Sequence, residues 1–194
     1  MGKRAAVIRL PLIVLVAALA FVAAGCGGGG ESNEQPEGTP PRQWVTSVCT
    51  ALDDWQSSLQ DKAKGLPQEV LQADSATDAK RRIQGFLDEV IAETDTMIGR
   101  VERAGRPAAD EGRRFAAQVN ARLRKVKTAF EDARRRVEQV PTDDPFAFQR
   151  QLTQIGQDLL AQARSLGTLL AQAPAGPILN AIGDVARCRT FSSD

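Results

Sequence analysis

Residues 115–140 read FAAQVNARLRKVKTAFEDARRRVEQV. Phe115, Val119, Leu123, Val126, Phe130, Ala133, Val137 and Val140 recur at steps of three and four, the spacing that puts side chains on one face of an α-helix. The basic residues of the stretch all fall off that seam, so one face is built for burial and the rest for water. At 1.5 Å per residue the apolar stripe is about 40 Å long, and only other helices of comparable length can cover it.

Those helices are legible on both sides. Upstream, Val45, Val48, Leu52, Trp55 and Leu59 form a stripe between Pro40-Pro41 and Gly65/Pro67, which predicts a first helix over 42–64. Ile83, Leu87, Val90, Thr94, Met97 and Val101 form a second, opened by the capping signal Ser75-Ala76-Thr77-Asp78 and stopped by Gly105 and Pro107. The third helix then runs over about 107–139, with Pro141 ending it. A fourth starts at Thr142-Asp143-Asp144-Pro145, an aspartate cap followed by proline at the first helical position, and carries Phe148, Leu152, Ile155, Leu159, Ala163, Leu166 and Leu170. After Pro174-Ala175-Gly176-Pro177, residues 178–187 read as a short fifth helix with Ile182 and Val185 leading to Cys188. Short turns cannot return a chain to the end it left, so consecutive helices must alternate in direction. The expected fold is all-α: an elongated antiparallel four-helix bundle with a short C-terminal fifth helix, over residues 42–194.

The first 26 residues follow other rules. Lys3, Arg4 and Arg9 precede an apolar run from Leu10 to Ala24, and small residues lead to Cys26, the layout of a secretory signal peptide. The run falls short of the ~20 residues that span a bilayer, and glycines follow at once, so a spanning anchor is disfavoured. The string Val22-Ala23-Ala24-Gly25-Cys26 resembles a bacterial lipoprotein signal peptide. That resemblance implies removal of residues 1–25, acylation of the Cys26 thiol, and a protein lipid-anchored to the cell membrane on its extracytoplasmic face. A plain cleaved signal is the alternative, and it leaves Cys26 unexplained. Residues 26–41 then form a lipidated, flexible tether: from Gly27 the chain reads GGGGESNEQPEGTPP, with nothing apolar to bury. Its glycine run lacks the Lys and Ser or Thr of a phosphate-binding loop.

A second resemblance lies in the bundle. Trp44-Val45-x-x-Val48-Cys49-x-x-Leu52-x-x-Trp55 is similar to the first helix of helical-bundle lipoproteins of actinobacteria, and Cys188 to their closing cysteine. It implies architecture and an extracytoplasmic site, and no activity.

Composition restricts the chemistry. The chain has 25 basic and 24 acidic residues, with Lys3, Arg4 and Arg9 in the leader, so the remainder is near neutral and implies no nucleic-acid partner. Histidine is absent, which removes the usual general base, the usual zinc ligand and the Glu-x-x-His pairs of bundle diiron sites. No metal or cofactor is expected. The acids Asp53, Asp54, Asp88, Glu89, Glu93 and Asp95 fall off the apolar seams and read as solvated surface. No catalytic residue is therefore assigned.

The candidate sites are three. Cys26 is the lipidation site. With Cys26 acylated, Cys49 and Cys188 are the two remaining thiols of an exported chain, and an antiparallel bundle returns its last segment to the end where the first helix began. A Cys49–Cys188 disulfide is expected, two buried free thiols being the alternative. The third site is the basic side of helix three. Asp110 with Arg114, Glu131 with Arg135 and Asp132 with Arg136 are spaced to pair at i,i+4, whereas Arg122, Arg124, Lys125 and Lys127 have no such acid. These four either bind an anionic surface, lipid or wall polymer, or form a solvated face opposite acids of helix two. Trp55 reads as core and Trp44, beside the tether, as partly exposed. Thr94 and the glycines Gly156 and Gly167 mark places where the core could open into a pocket. The reading is a membrane-anchored lipoprotein whose bundle serves in binding or cell-envelope interaction, with an envelope protein or anionic polymer as partner. The alternative is a carrier or sensor holding a small apolar ligand in the bundle core.

Overall fold

A computed structural model describes residues 38–191, without the side chains of 163–171 and 190–191. The leader, Cys26 and the tether up to Glu37 lie outside the described residues, as do the side chains of Ala163, Leu166, Gly167 and Leu170. The fold is a helical bundle with a short C-terminal helix. Five α-helices follow in order: α1 Pro41–Leu71, α2 Ala76–Arg103, α3 Asp110–Gln139, α4 Pro145–Ala171 and α5 Pro177–Asp184, then a 3-10 turn over Ala186–Phe191. Among the described residues there is no strand, only an isolated parallel bridge between Thr39 and Pro107.

The ends of the helices are set by local chemistry. Ser75 caps α2, its hydroxyl accepting from the Asp78 amide at 3.1 Å. Asp144 caps α4, one carboxylate oxygen accepting from the amides of Phe146 and Ala147 at 2.9 and 3.1 Å, with Pro145 following. Two boundaries differ from the sequence reading. Helix α1 does not stop at Gly65 but continues through Pro67 to Leu71. Pro67 has no N–H to donate to the Ala63 carbonyl, but Ala63 is exposed, so water can serve as the donor. Two further turns bring Val70 and Ala73 against the core. Helix α3 starts at Asp110, not near Pro107, because Pro107 is held in the bridge to Thr39.

Helix α1 packs on α2, α2 on α3 and α3 on α4, while α5 and the 3-10 turn lie on α1. The buried side chains form two clusters. The first gathers Trp44, Val48, Cys49, Leu52 and Trp55 of α1, Met97 and Val101 of α2, Phe115, Val119, Leu123 and Val126 of α3, Ile178 and Ile182 of α5, and Cys188. The second, at the opposite end, joins Ala79 and Leu87 of α2, Ala133 and Val137 of α3, Val140 beyond it, and Phe148 and Ile155 of α4. Phe130 packs against both.

Candidate functional site

The point where the chain enters the bundle is a built structure. The sequence reading places Gly38–Pro41 in the tether, but here they join the folded unit. The Thr39 amide donates to the Arg106 carbonyl at 2.7 Å, and the Ala108 amide donates back to the Thr39 carbonyl at 3.1 Å. The Thr39 hydroxyl donates to the Ala104 carbonyl at 2.8 Å and the Trp44 indole N–H to the Gly105 carbonyl at 3.1 Å. The α2–α3 loop, residues 104–109, is thus fastened to the start of α1. Two glycines permit it. Gly38 has φ of +138° and a Cβ there would lie 2.8 Å from the Ala108 Cα; Gly105 has φ of +80° and a Cβ would lie 2.8 Å from the Thr39 hydroxyl. Sequence reasoning took Gly105-Arg106-Pro107 only as a helix stop and missed this clasp.

The clasp explains Trp44. It is 1% exposed, not partly exposed as its place beside the tether suggested, because its ring lies beneath the loop and meets Phe115 edge-on at 6.2 Å. One turn on, Cys49 is bonded to Cys188 with S–S 2.03 Å and Cα–Cα 5.2 Å, both residues 1% exposed. Deeper in the same cluster the Trp55 indole N–H donates to the Thr94 hydroxyl at 3.1 Å, and that hydroxyl donates to the Val90 carbonyl at 2.7 Å. Thr94 is wholly buried, and its hydroxyl both donates and accepts. The larger clefts lie at the surface: one of about 410 Å³ beside the clasp, lined by Arg106, Arg113, Arg114 and Asn120, and one of about 400 Å³ along the outer side of α4 beside Phe146 and Arg150.

The basic side of α3 is paired differently from its sequence spacing. Arg113 pairs with Asp110 and Arg135 with Asp132, both at i,i+3, in place of the i,i+4 pairs expected with Arg114 and Arg136. Arg136 reaches across to Asp158 of α4 at 2.7 Å and Arg134 to Asp88 of α2 at 3.1 Å. Within the middle group, Arg124 bonds Glu102 at 2.8 Å and Lys127 bonds Asp95 at 2.6 Å, both on α2. Lys127 also has Glu131 of its own helix at 3.9 Å, so the reading that this group has no local acid is corrected. Its hydrogen bond to Asp95 holds the Lys127 ammonium protonated above the usual lysine range. Arg122 and Lys125 make no ion pair. The four residues are therefore no continuous cationic face: half of them are neutralised by α2.

Of the acids read as solvated surface, all but Glu93 serve as ion-pair partners. Glu89 pairs with Lys62 of α1 at 2.8 Å, and Asp54 with Arg100 at 3.2 Å and Arg187 at 2.8 Å. A hydrogen bond from Arg82 holds the Asp78 carboxyl below the usual carboxylate range, and one from Arg136 does the same for Asp158. Among the described residues no three His, Cys, Asp or Glu side chains converge as a metal site would require. No helix among them is long and apolar enough to cross a membrane.

No protein-family model matches the chain, and neither a curated protein nor a solved structure matches it significantly.

Proposed function

We propose that this protein is an exported lipoprotein, anchored through acylated Cys26 to the extracytoplasmic face of the cell membrane, whose helical domain serves in binding or cell-envelope interaction and not in catalysis. The observation that carries this reading is the Cys49–Cys188 disulfide. Protein disulfides persist in oxidising compartments and are rare in the cytosol, so the bond supports the export that the leader and the Cys26 string imply. It also leaves Cys26 as the one thiol of the sequence without a structural task. The exposed placing of most acids of α1 and α2, many of them in ion pairs with arginine or lysine, supports an interaction role over an acid–base one, since a general acid or base needs a pocket that shifts its proton affinity.

Expression of the full chain in a bacterium with lipoprotein-processing enzymes tests the anchor. The wild-type protein is expected in the membrane fraction, with a mass showing loss of residues 1–25 and gain of acyl chains. Cys26→Ser is expected to leave the membrane-extracted, acylated form empty. Acyl chains on the Cys26→Ser protein, or none on the wild type, would contradict the proposal. Crosslinking on intact cells, followed by identification of the captured envelope component, tests the interaction role.

A further inference from the structure

We infer that the clasp end of the bundle is a contact surface for the anionic leaflet to which the chain is tethered, and that Arg103, Arg106 and Arg114 carry it; this rests on the anchor proposed above. The inference comes from where unpaired charge lies in relation to where the chain enters. Arg103 closes the last turn of α2, Arg106 lies in the clasp loop and Arg114 follows in the second turn of α3, all at one end of the bundle. All three are exposed and none makes an ion pair. Arg42, in the first turn of α1, is likewise exposed and unpaired at that end. By contrast, Arg124 and Lys127 farther along α3 spend their charge on Glu102 and Asp95.

Covalent geometry brings this end to the bilayer. The eleven residues between Cys26 and Gly38 can reach about 40 Å at full stretch and average far less. Gly38 and Thr39 are fixed on the loop that carries Arg106, by hydrogen bonds at 2.7 and 3.1 Å. The tether's length thus limits how far these guanidiniums can lie from the acylated residue, whereas the far ends of α1 and α3 lie a further ~45 Å along 31 and 30 residues of helix. A basic group at an anionic bilayer gains roughly fivefold in partitioning, so three multiply to about 100-fold, on a protein that the lipid already holds at the surface. The acids that could oppose them are Glu111, which has no ion pair, and Glu31, Glu34 and Glu37 of the tether.

The test uses the mature chain, residues 26–194, with Cys26→Ser so that no acyl chain contributes, and vesicles of phosphatidylcholine with or without 30% phosphatidylglycerol. Sedimentation at low salt is expected to show binding to the anionic vesicles alone, lost at high salt. The triple variant Arg103→Ala, Arg106→Ala, Arg114→Ala should bind about 100-fold more weakly. Arg→Lys at the same three positions should retain binding, since a bilayer reads charge and not the guanidinium fork, and an unchanged helical signal shows that the variants fold. Arg124→Ala with Lys127→Ala should change binding less than threefold. Equal binding to both vesicle types overturns the inference, as does loss that follows the Arg124/Lys127 variant. Absence of binding, the result if tether glutamates cancel the patch, overturns it, and so does binding to a soluble anionic wall polymer but not to vesicles. The acylated mass of wild type reports on the anchor separately, so an acylated protein whose Cys26→Ser chain ignores charge defeats this inference and leaves the anchor standing.

Discussion

Toward the end where Gly38 enters, two tryptophans, Phe115 and a disulfide share one buried cluster, and a loop whose carbonyls accept from Thr39 and Trp44 covers Trp44. At the other end the buried set includes Ala79 and Ala133, its one ring below a tenth exposed is Phe148 at 9%, and Ile83, Phe86, Leu152 and Leu159 are only partly covered. There α1 ends with Leu71 79% exposed, and α4 starts with Phe146 82% exposed. Helices α1, α2, α3 and α5 thus share a core fastened by covalent and polar bonds at one end, and α2, α3 and α4 a smaller one diluted by alanine at the other. Both ends have hydrogen bonds between segments far apart in sequence, Trp55 to Thr94 and Thr39 to Ala104 at the entry end and Lys80 to the Val140 carbonyl at the other; what separates them is the covalent link of Cys49 to Cys188. Of the ion pairs at the far end, Asp158 with Arg136 is exposed and contributes little, while Asp78 with Arg82 is half-buried.

Removing the covalent link should have the largest effect. The disulfide spans 139 residues, and in the entropic account closing such a loop stabilises the fold by about 5 kcal/mol. Cys49→Ser with Cys188→Ser should lower the denaturant midpoint accordingly and bring the stability of the two ends together; an unchanged midpoint would show that the clasp alone holds the entry end. Next come matched truncations. Leu123→Ala in the first cluster, at a position with no exposure, should cost about 4 kcal/mol, and Leu87→Ala in the second about 2 kcal/mol, where thinner packing allows collapse. Equal losses in chemical denaturation would erase the contrast.

The bundle was legible because Leu123, Val126 and Val137 announce a helical face by spacing alone, and that pattern survives any detail of packing. The pairing of Cys49 with Cys188 followed from a count of thiols and the direction of the helices. The clasp was not legible: Thr39 meets Ala104 and Arg106 across a fold that must exist first, and neither Gly38 nor Gly105 announces its partner. Trp44 was misread for the same reason, its cover coming from a loop about 60 positions away in sequence. The charges of α3 were misjudged because spacing within a helix ranks only local partners, whereas Arg124 and Lys127 chose acids on α2. Cys26, the centre of the proposed function, is legible only as sequence.

Two smaller effects sharpen the contrast. Thr94→Val leaves the buried Trp55 N–H without an acceptor and should cost about 1 to 3 kcal/mol by thermal or urea unfolding, while Thr94→Ser, which keeps the hydroxyl, should cost less. A smaller loss for valine than for serine would dismiss the hydrogen bond. The mildest lever is acid. Asp78 and Asp158 have folded-state pKa values lowered by Arg82 and Arg136, so their contribution is present above the ordinary carboxylate value near 4 and is lost as pH falls through the lowered values. Stability should therefore decline slightly below pH 4, less so in Asp78→Asn with Asp158→Asn; a steeper decline in that variant would reverse the assignment.

Amide hydrogen exchange of the oxidised protein compares the two ends most directly. Amides of Val48–Trp55, Met97–Val101 and Val119–Val126 should exchange only through global unfolding, while those of Leu152–Leu159 open locally and exchange at least ~100-fold faster. After reduction of Cys49–Cys188 the gap should narrow to less than ~10-fold, the first group having lost its restraint. Equal protection of both groups in the oxidised protein, or a gap that reduction leaves untouched, would contradict the account.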